Sequence, residues 1–435
     1  MAPLLFAAAS ARASTITVNS TADTAANDGV CTLREAITAA NTNTASGAAA
    51  GECAAGQASP TVDTIAFNIP GAGVHTITPA SSLPLIVETV FIDGYSQPGS
   101  SANTLTVGDN AMLLIEIDGT NSSLGGLHLF TSASNGSTIR GLVISHVAGT
   151  AISIEGSSNN AITGNFIGTD PAGTTASASS QSIDVTGVST GNVIGGTTPA
   201  ARNVMTSTQQ TIHLFSATNT TIQGNYIGID KNGTSALGTA FDGIFLIVGA
   251  SNNLIGGTSA GAGNVIGFFT GHGIREDFGG NNNNTIQGNL IGTNAAGTIG
   301  LASQGFGMQV DDGLVGGTTA GAGNLVSGVQ FGILVAGGNN SVVIQGNKIG
   351  TDITGALPLG NAGSGICVSG FTTNLTGTIG GTAAGAANRI AFNGAQGVQL
   401  EAQTGWSILG NSIDSNGGLG ISLAPGSGSN FCCSF

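Results

Sequence analysis

The stretch IQGNYIGID (residues 222–230) recurs along the chain and decides the fold. Four further copies align with it: ITGNFIGTD (162–170), IQGNLIGTN (286–294), IQGNKIGTD (344–352) and ILGNSIDSN (408–416). Successive copies begin 60, 64, 58 and 64 residues apart. A second segment alternates with them, as in NLIGGTSAGAGNVI (253–266). Self-similarity at a nearly fixed period is typical of a repeat architecture.

A third, shorter motif marks every turn of the repeat, as in GIFLIV (243–248). The first core residues of these motifs are Ile152, Ile183, Ile212, Ile244, Ile274, Met308, Ile333, Ile366, Val398 and Ile421. Nine intervals span 269 residues, which gives about 30 residues per turn. Each turn holds three short runs that alternate at period two, separated by Gly, Asn, Thr and Asp. The pattern predicts an all-β solenoid with the runs alternating inward and outward.

Two ladders of identical residues follow from stacking these turns about 4.8 Å apart. We expect an interior aliphatic ladder of Ile167, Ile227, Ile291, Ile349 and Ile413. We expect a corner ladder of Asn165, Asn225, Asn289, Asn347 and Asn411. An Asn side chain carries both a donor and an acceptor, so each amide can bond backbone groups of adjacent turns. These Asn residues are therefore interpreted as structural.

The repeat resembles the right-handed parallel β-helix repeats of the pectin-lyase-like superfamily, over roughly residues 60–425. The resemblance implies a right-handed coil, which agrees with the general preference of parallel β crossovers. The resemblance does not select one function, because this superfold hosts lyases, hydrolases, adhesins and passive spacers. Residues 61–425 are assigned to the β-helix.

Residues 14–60 differ from the repeat and are assigned as an N-terminal capping segment. Thr32 and Glu35 form a capping box that begins a short helix. The predicted apolar face, expected to cover the open end of the solenoid, is Leu33, Ala36, Ile37 and Ala40. The signature CTLREA (31–36) resembles the CSLREA domain of secreted bacterial β-helix proteins, whose role is in localisation and architecture. Cys31 and Cys53 could form a disulfide in an oxidising compartment.

The composition limits which classes of partner the chain can be expected to bind. The chain has 435 residues, 22 Asp and Glu against 8 Lys and Arg, and a net charge of −14. No basic stripe exists for a nucleic acid, and no apolar run is long enough for a transmembrane helix. Residues 1–13 look like the remnant of a signal peptide, and residues 426–435 are expected to form an irregular, truncated C-terminal tail. We therefore expect a secreted or cell-surface protein whose partner is a polysaccharide or a cell-surface glycan, with the oligomeric state open.

The candidate site lies where charged residues face outward from the GIxx strands. Arg275 should lie beside Gln309, and Asp277 beside Asp311, because both pairs are 34 residues apart. One turn apart, the two carboxylates would approach to about 5 Å. The candidate catalytic residues are Asp277, Asp311, Arg275 and His213, and the candidate substrate-binding residues are Phe245 and Gln309.

Three interpretations of this group remain open. Two close carboxylates can separate their pKa values and act as acid and base, and a spacing near 5 Å suits retaining glycoside hydrolysis. Arg275 could pair with a sugar carboxylate and Phe245 could stack on a sugar face. The carboxylates could instead hold Ca²⁺, although no cofactor is evident. The third interpretation is an ordinary surface ion pair.

The triplet Gly-His-Gly at 271–273 and the pair Asp311-Asp312 are similar to motifs of polygalacturonases. Their order along the chain is reversed, and the companion motifs of that family are missing, so its catalytic roles are not transferred. His272 is placed at the turn that enters the strand of Arg275. We therefore expect a structural, adhesive or carbohydrate-binding protein. The alternative is a polysaccharide lyase or glycoside hydrolase acting on an acidic polysaccharide.

Overall fold

The computed structural model is a right-handed parallel β-helix with one α-helix at its N-terminal end. It describes residues 14–121, 126–238, 240–277, 280–336, 341–369, 376–401 and 405–424. Three all-parallel sheets, here called A, B and C, run the length of the coil with 13, 12 and 11 strands. The predicted fold is confirmed. The proposed signal-peptide remnant (1–13) and C-terminal tail (426–435) lie outside the described residues.

Each full turn contributes one strand to each sheet in the order C, A, B. Sheet A contains Thr15–Val18, Asp63–Phe67, Val90–Asp93, Thr138–Arg140, Ala161–Thr163, Val193–Gly195, Thr221–Gln223, Leu254–Gly256, Thr285–Gln287, Gly313–Gly316, Ser341–Gln345, Thr376–Gly380 and Trp406–Leu409. Sheet B contains His75–Ile77, Ile115–Asp118, Leu142–Ser145, Phe166–Ile167, Val204–Met205, Tyr226–Ile227, Val265–Ile266, Leu290–Ile291, Leu325–Val326, Lys348–Ile349, Arg389–Ala391 and Ser412–Asp414. Sheet C contains Leu127–Phe130, Thr150–Glu155, Gln181–Thr186, Gln210–Phe215, Ala240–Ile247, Phe269–Glu276, Ser303–Val310, Val329–Val335, Ile366–Val368, Val398–Glu401 and Ile421–Ala424. Four short 3₁₀ turns lie at Gly94–Ser96, Gly119–Asn121, Ser132–Ser134 and Pro199–Ala201.

The register of sheet C agrees with the GIxx alignment at every turn. Ile152 pairs with Ile183, and the pairing continues without a slip through Ile274 and Met308 to Ile421. All but the last of these ladder residues are buried. Register is fixed because a slip of one residue would turn the whole apolar column outward.

Asparagine side chains form an uninterrupted ladder at the corner between sheets A and B. Each side-chain amide donates to the side-chain oxygen of the Asn in the next turn, at 2.9–3.2 Å. The ladder contains the five predicted residues and, between them, Asn203, Asn264, Asn324 and Asn388. It satisfies buried backbone groups as well, as when Asn264 Nδ2 donates to the Ile222 carbonyl at 2.8 Å. The structural role predicted for these residues is confirmed.

The strands of sheet C depart from the simple alternation that the sequence predicted. Ile244 and the residue before it, Gly243, both face the interior: a Cβ at Gly243 would lie 2.7 Å from Ile266 Cγ2 of sheet B. Gly273 stands in the same relation to Ile291 one turn later. A glycine precedes the core residue because the interior has no room for a side chain there. Consequently the residue two positions before the core residue faces outward.

The N-terminal segment closes the interior of the coil. Strand Thr15–Val18 starts sheet A, and helix α1 (Leu33–Thr42) begins with the predicted Thr32–Glu35 capping box. The four residues of the predicted apolar face are fully buried in the main core. A disulfide joins Cys31 to Cys53. Within the described ranges, no helix is long and apolar enough to span a membrane.

Candidate functional site

The outward face of sheet C carries parallel columns of side chains, and the two columns that hold Arg275 and His272 are here called the strip. The first column is the predicted one, where Arg275 lies beside Phe245 on one side and Gln309 on the other. The second column holds the residues two positions before each core residue, where His272 lies beside Asp242 and Phe306. This second column departs from the strict alternation that the sequence predicted, so its residues were not expected to face outward.

Arg275 is enclosed by neighbours from its own turn and the preceding one. Its Nη2 donates to Asp277 Oδ2 at 2.6 Å, and its Nη1 lies 3.6 Å from Asp242 Oδ2. The guanidinium also covers the ring of Phe245 at 4.9 Å from the centroid. Nη1, Nη2 and one face of the guanidinium therefore have partners inside the protein. The sugar carboxylate expected opposite Arg275 would have to displace one of them.

Asp242 and His272 form a hydrogen-bonded pair that was not predicted from the sequence. Asp242 is fully buried, and its Oδ1 accepts from both the backbone N–H and the Nδ1 of His272, each at 2.9 Å. The sequence predicted His272 at a turn, but it lies inside strand Phe269–Glu276. Its ring stacks on Phe306 at 5.3 Å. With the carboxylate accepting from Nδ1, the second ring nitrogen of His272 is Nε2.

His213 and Phe245 are stacked on adjacent turns. Their ring centroids are 5.4 Å apart and the planes differ by 20°. His213 Nδ1 lies 2.9 Å from Asp184 Oδ1 of the preceding turn. His213 covers one face of Phe245 and Arg275 covers the other. The stacking contact that the sequence suggested between Phe245 and a sugar is already made within the protein.

Asp277 and Asp311 each follow directly after the end of a sheet C strand. Asp311 is 5% exposed, and its Oδ1 is buried without a hydrogen-bond partner. Burial, with the nearby Glu276 and Asp277, raises the pKa of Asp311 to about 8, although Arg275 opposes the shift. Asp277 is paired with Arg275. The two carboxyls therefore lie in different environments, because Asp311 is buried with a raised pKa whereas Asp277 makes a direct contact with a guanidinium.

Glu276 is a buried acid in a column that is otherwise aliphatic. It pairs with Leu246 of the preceding turn and is fully buried. It accepts hydrogen bonds from Asn284 Nδ2 and from the backbone N–H of Asp311, both at 2.9 Å. Burial raises the pKa of Glu276 to about 7. Comparing GIREDF with GIFLIV would have shown an acid at an interior position.

Gln309 also turns toward the protein. It is 8% exposed, and its Nε2 donates to the Glu276 carbonyl at 3.0 Å. The side-chain amide of Gln309, which the sequence predicted to bind substrate, therefore already donates to a backbone carbonyl.

The described residues do not bring three or more His, Cys, Asp or Glu side chains together as a metal site. The recurrent Asp of the GTD loops caps its own turn: Asp170 Oδ1 accepts from the N–H groups of Thr174 and Thr175 at 2.8 and 2.9 Å. Asp230 and Asp352 repeat this arrangement. These bonds explain why Asp recurs there.

The basic side chains are nearly all committed to internal contacts. Of the seven in the described ranges, six bond to carboxylates or to backbone carbonyls, namely Arg34, Arg140, Arg202, Arg275, Lys348 and Arg389. The net charge of the chain is −14. Such a surface repels polyanions more than it attracts them.

No family model and no curated protein matches this chain. Among solved structures, the chain is similar to PfbA, a surface adhesin of Streptococcus pneumoniae, with 11% identity, a TM-score of 0.43, and 84% of this chain and 85% of that one covered. It is also similar to the A-module of the mannuronan C-5 epimerase AlgE6 of Azotobacter vinelandii, with 13% identity, a TM-score of 0.38 and coverages of 93% and 98%. A third similarity is to the periplasmic alginate epimerase AlgG, with 11% identity, a TM-score of 0.34 and coverages of 95% and 85%.

Proposed function

We propose that this chain is an extracellular β-helix protein with an adhesive or carbohydrate-binding role, and that the strip of sheet C is its binding face. The observation that carries the proposal is the concentration of His, Phe and acidic side chains on this one face of a scaffold whose repeats are otherwise uniform. Polar groups interleaved with aromatic rings are the usual composition of a sugar-binding surface. The buried Cys31–Cys53 disulfide supports an oxidising compartment.

The charges favour a neutral glycan over an acidic one. Arg275 is the basic residue of the strip, and it is already neutralised by Asp242 and Asp277. Further acids nearby would repel a polyanion. A neutral polysaccharide offers hydroxyl donors to these carboxylates without that repulsion.

A glycan-binding screen tests the proposal. Purified protein is applied to immobilised neutral and acidic polysaccharides, with and without Ca²⁺. We expect retention on a neutral glycan, and the Ca²⁺ arm tests whether the acids of the strip act through a cation. Failure to bind any glycan would reject the carbohydrate-binding role and leave only a structural or protein-adhesive one.

A second candidate function is a polysaccharide lyase or glycoside hydrolase, as the sequence analysis allowed for acidic polysaccharides. The specific observation in its favour is the raised pKa of the buried Asp311 near Asp277, which is paired with Arg275. Incubation with each polysaccharide, followed by assays for new reducing ends and for unsaturated products, tests it. We expect Asp277→Ala and Asp311→Asn to abolish release while Asp414→Asn, outside the strip, retains it. Activity that survives Asp277→Ala would exclude this pair as the catalytic one.

A further inference from the structure

The triplet His-Leu-Phe occurs twice on sheet C, at 128–130 and at 213–215. Strand pairing places the two copies in the same columns: His128 lies beside Ser153, Ser153 beside Asp184, and Asp184 beside His213. Three turn intervals therefore separate the copies, or about 14 Å along the axis. The outward His and Phe side chains of each copy are here called a ledge, and the two ledges are separated by two intervening turns.

The residues between the ledges are small or acidic. The floor contains Ser153 and Thr186, which are half-buried. Glu155 and Thr186 lie beside each other in the column of the two phenylalanines, as Ser153 and Asp184 do in the column of the two histidines. We call the space bounded by the two triplets and floored by these four residues the trough.

Each ledge holds one carboxylate of the trough. His128 Nε2 lies 3.1 Å from Glu155 Oε2, and His213 Nδ1 lies 2.9 Å from Asp184 Oδ1. The Glu155 side chain is 48% exposed and that of Asp184 19% exposed. Asp184 is therefore oriented by its hydrogen bond to His213, whereas His128 Nε2 lies near Glu155 without a hydrogen bond. Each carboxylate has oxygens that can accept from hydroxyl donors.

The two phenylalanines differ from Phe245 in orientation. Phe130 and Phe215 meet their histidines edge-on, with interplanar angles of 78° and 60°, whereas Phe245 is stacked nearly parallel to His213. Phe215 is 40% exposed, although Phe245 in the next turn is 9% exposed. A phenyl ring that is exposed on a strand of a Ser- and Thr-rich sheet has a ring surface to offer to a ligand.

We infer that the trough is the glycan subsite of this protein, and that it takes a short segment of a neutral polysaccharide lying along the β-helix axis. The phenylalanines contact sugar faces at the two ends, and Glu155 and Asp184 accept hydroxyl hydrogens between them. The trough holds two carboxylates and no Arg or Lys among its own residues, so an anionic sugar is disfavoured. The inference rests on the carbohydrate-binding role proposed above and assigns it to residues other than Arg275 and Asp277.

The experiment measures affinity for soluble neutral hexasaccharides, namely cellohexaose, xylohexaose, mannohexaose and laminarihexaose, by isothermal titration of the full chain. We expect binding of at least one, with a loss of roughly tenfold or more in both the F130A/F215A and the E155Q/D184N variants. Phe241→Ala is the matched control, because Phe241 is exposed to a similar extent (47%) on the same sheet but lies outside the trough. Circular dichroism melting confirms that each variant is folded.

The outcomes separate this inference from the broader proposal. Wild-type binding that survives both double variants would overturn the trough while leaving a glycan-binding role intact. Loss of binding in Phe241→Ala, equal to that in the trough variants, would overturn it as well. No wild-type binding to any of these glycans or to the immobilised panel would overturn both.

Discussion

The buried acids near Arg275 predict that the folded protein loses stability as the pH rises. Asp311 has a pKa of about 8 in the folded chain against an ordinary value of 3.8, and Glu276 has about 7 against 4.5. At pH values between the ordinary and the raised pKa of each acid, the folded protein holds a proton that the unfolded chain has released. Stability is therefore greatest at the acid end of the window and declines until the pH passes about 8.

The magnitude follows from the size of the shift. A raised pKa of about four units corresponds to a cost on the order of 5 kcal/mol above pH 8 for Asp311. Asp311→Asn removes that ionisation while keeping the shape of the side chain, and the buried Oδ1 has no hydrogen bond to lose. We expect this variant to match or exceed the stability of the wild type at high pH and to decline less steeply, because only the proton of Glu276 remains to be lost and that loss ends near pH 7.

Urea unfolding followed by circular dichroism at several pH values between about 5 and about 8 measures the effect. The control is Asp414→Asn, because Arg389 holds the pKa of the exposed Asp414 below its ordinary value and this acid is ionised in both states across the window. A wild-type urea midpoint that stays level or climbs with pH would refute the reasoning. So would a decline in Asp311→Asn that is as steep as that of the wild type.

Three further substitutions test the scaffold and the strip. Asn264→Ala removes side-chain bonds to two adjacent turns from a fully buried position; we expect a loss of about 3 kcal/mol or more in urea unfolding, since each orphaned buried group costs about 1–3 kcal/mol. Gly243→Ala places a Cβ 2.7 Å from Ile266 Cγ2 and should cost about 1–3 kcal/mol through overpacking, seen as a lower midpoint of thermal unfolding. Arg275→Met leaves the fully buried Asp242 without its cation and should cost about 3 kcal/mol, with near-ultraviolet circular dichroism reporting the altered aromatic stack.

The sequence predicted the coil and its register because the repeat is strong where the interior is most constrained. The spacing of Ile152, Ile274 and Ile421 transfers directly to strand pairs, since an identical residue at each turn has one way to stack. The pairing of Arg275 with Gln309 followed from the same count.

The sequence did not predict how those side chains use their polar groups. Because strict alternation was assumed, Asp242 was not recognised as a partner of Arg275, nor His272 as a partner of Asp242. Spacing places side chains on a common face but does not say whether Gln309 turns outward or back to a backbone carbonyl. Tertiary contacts decide that choice, because a buried amide must find a partner.

Because the asparagine ladder repeats identically, the number of turns in this protein can change without changing the contacts at the remaining corners. Every rung presents the same amide to the next, so the cut ends left by excising residues 226–289 would meet as IQGN followed by LIGT, which is the frame already present at 286–293. Such an excision would remove the two successive turns that carry Asp242 and Arg275, while leaving each remaining corner with an equivalent neighbour. A chain of this kind can be lengthened or shortened in evolution by whole turns. A binding face can therefore be gained, moved or lost without redesign of the core.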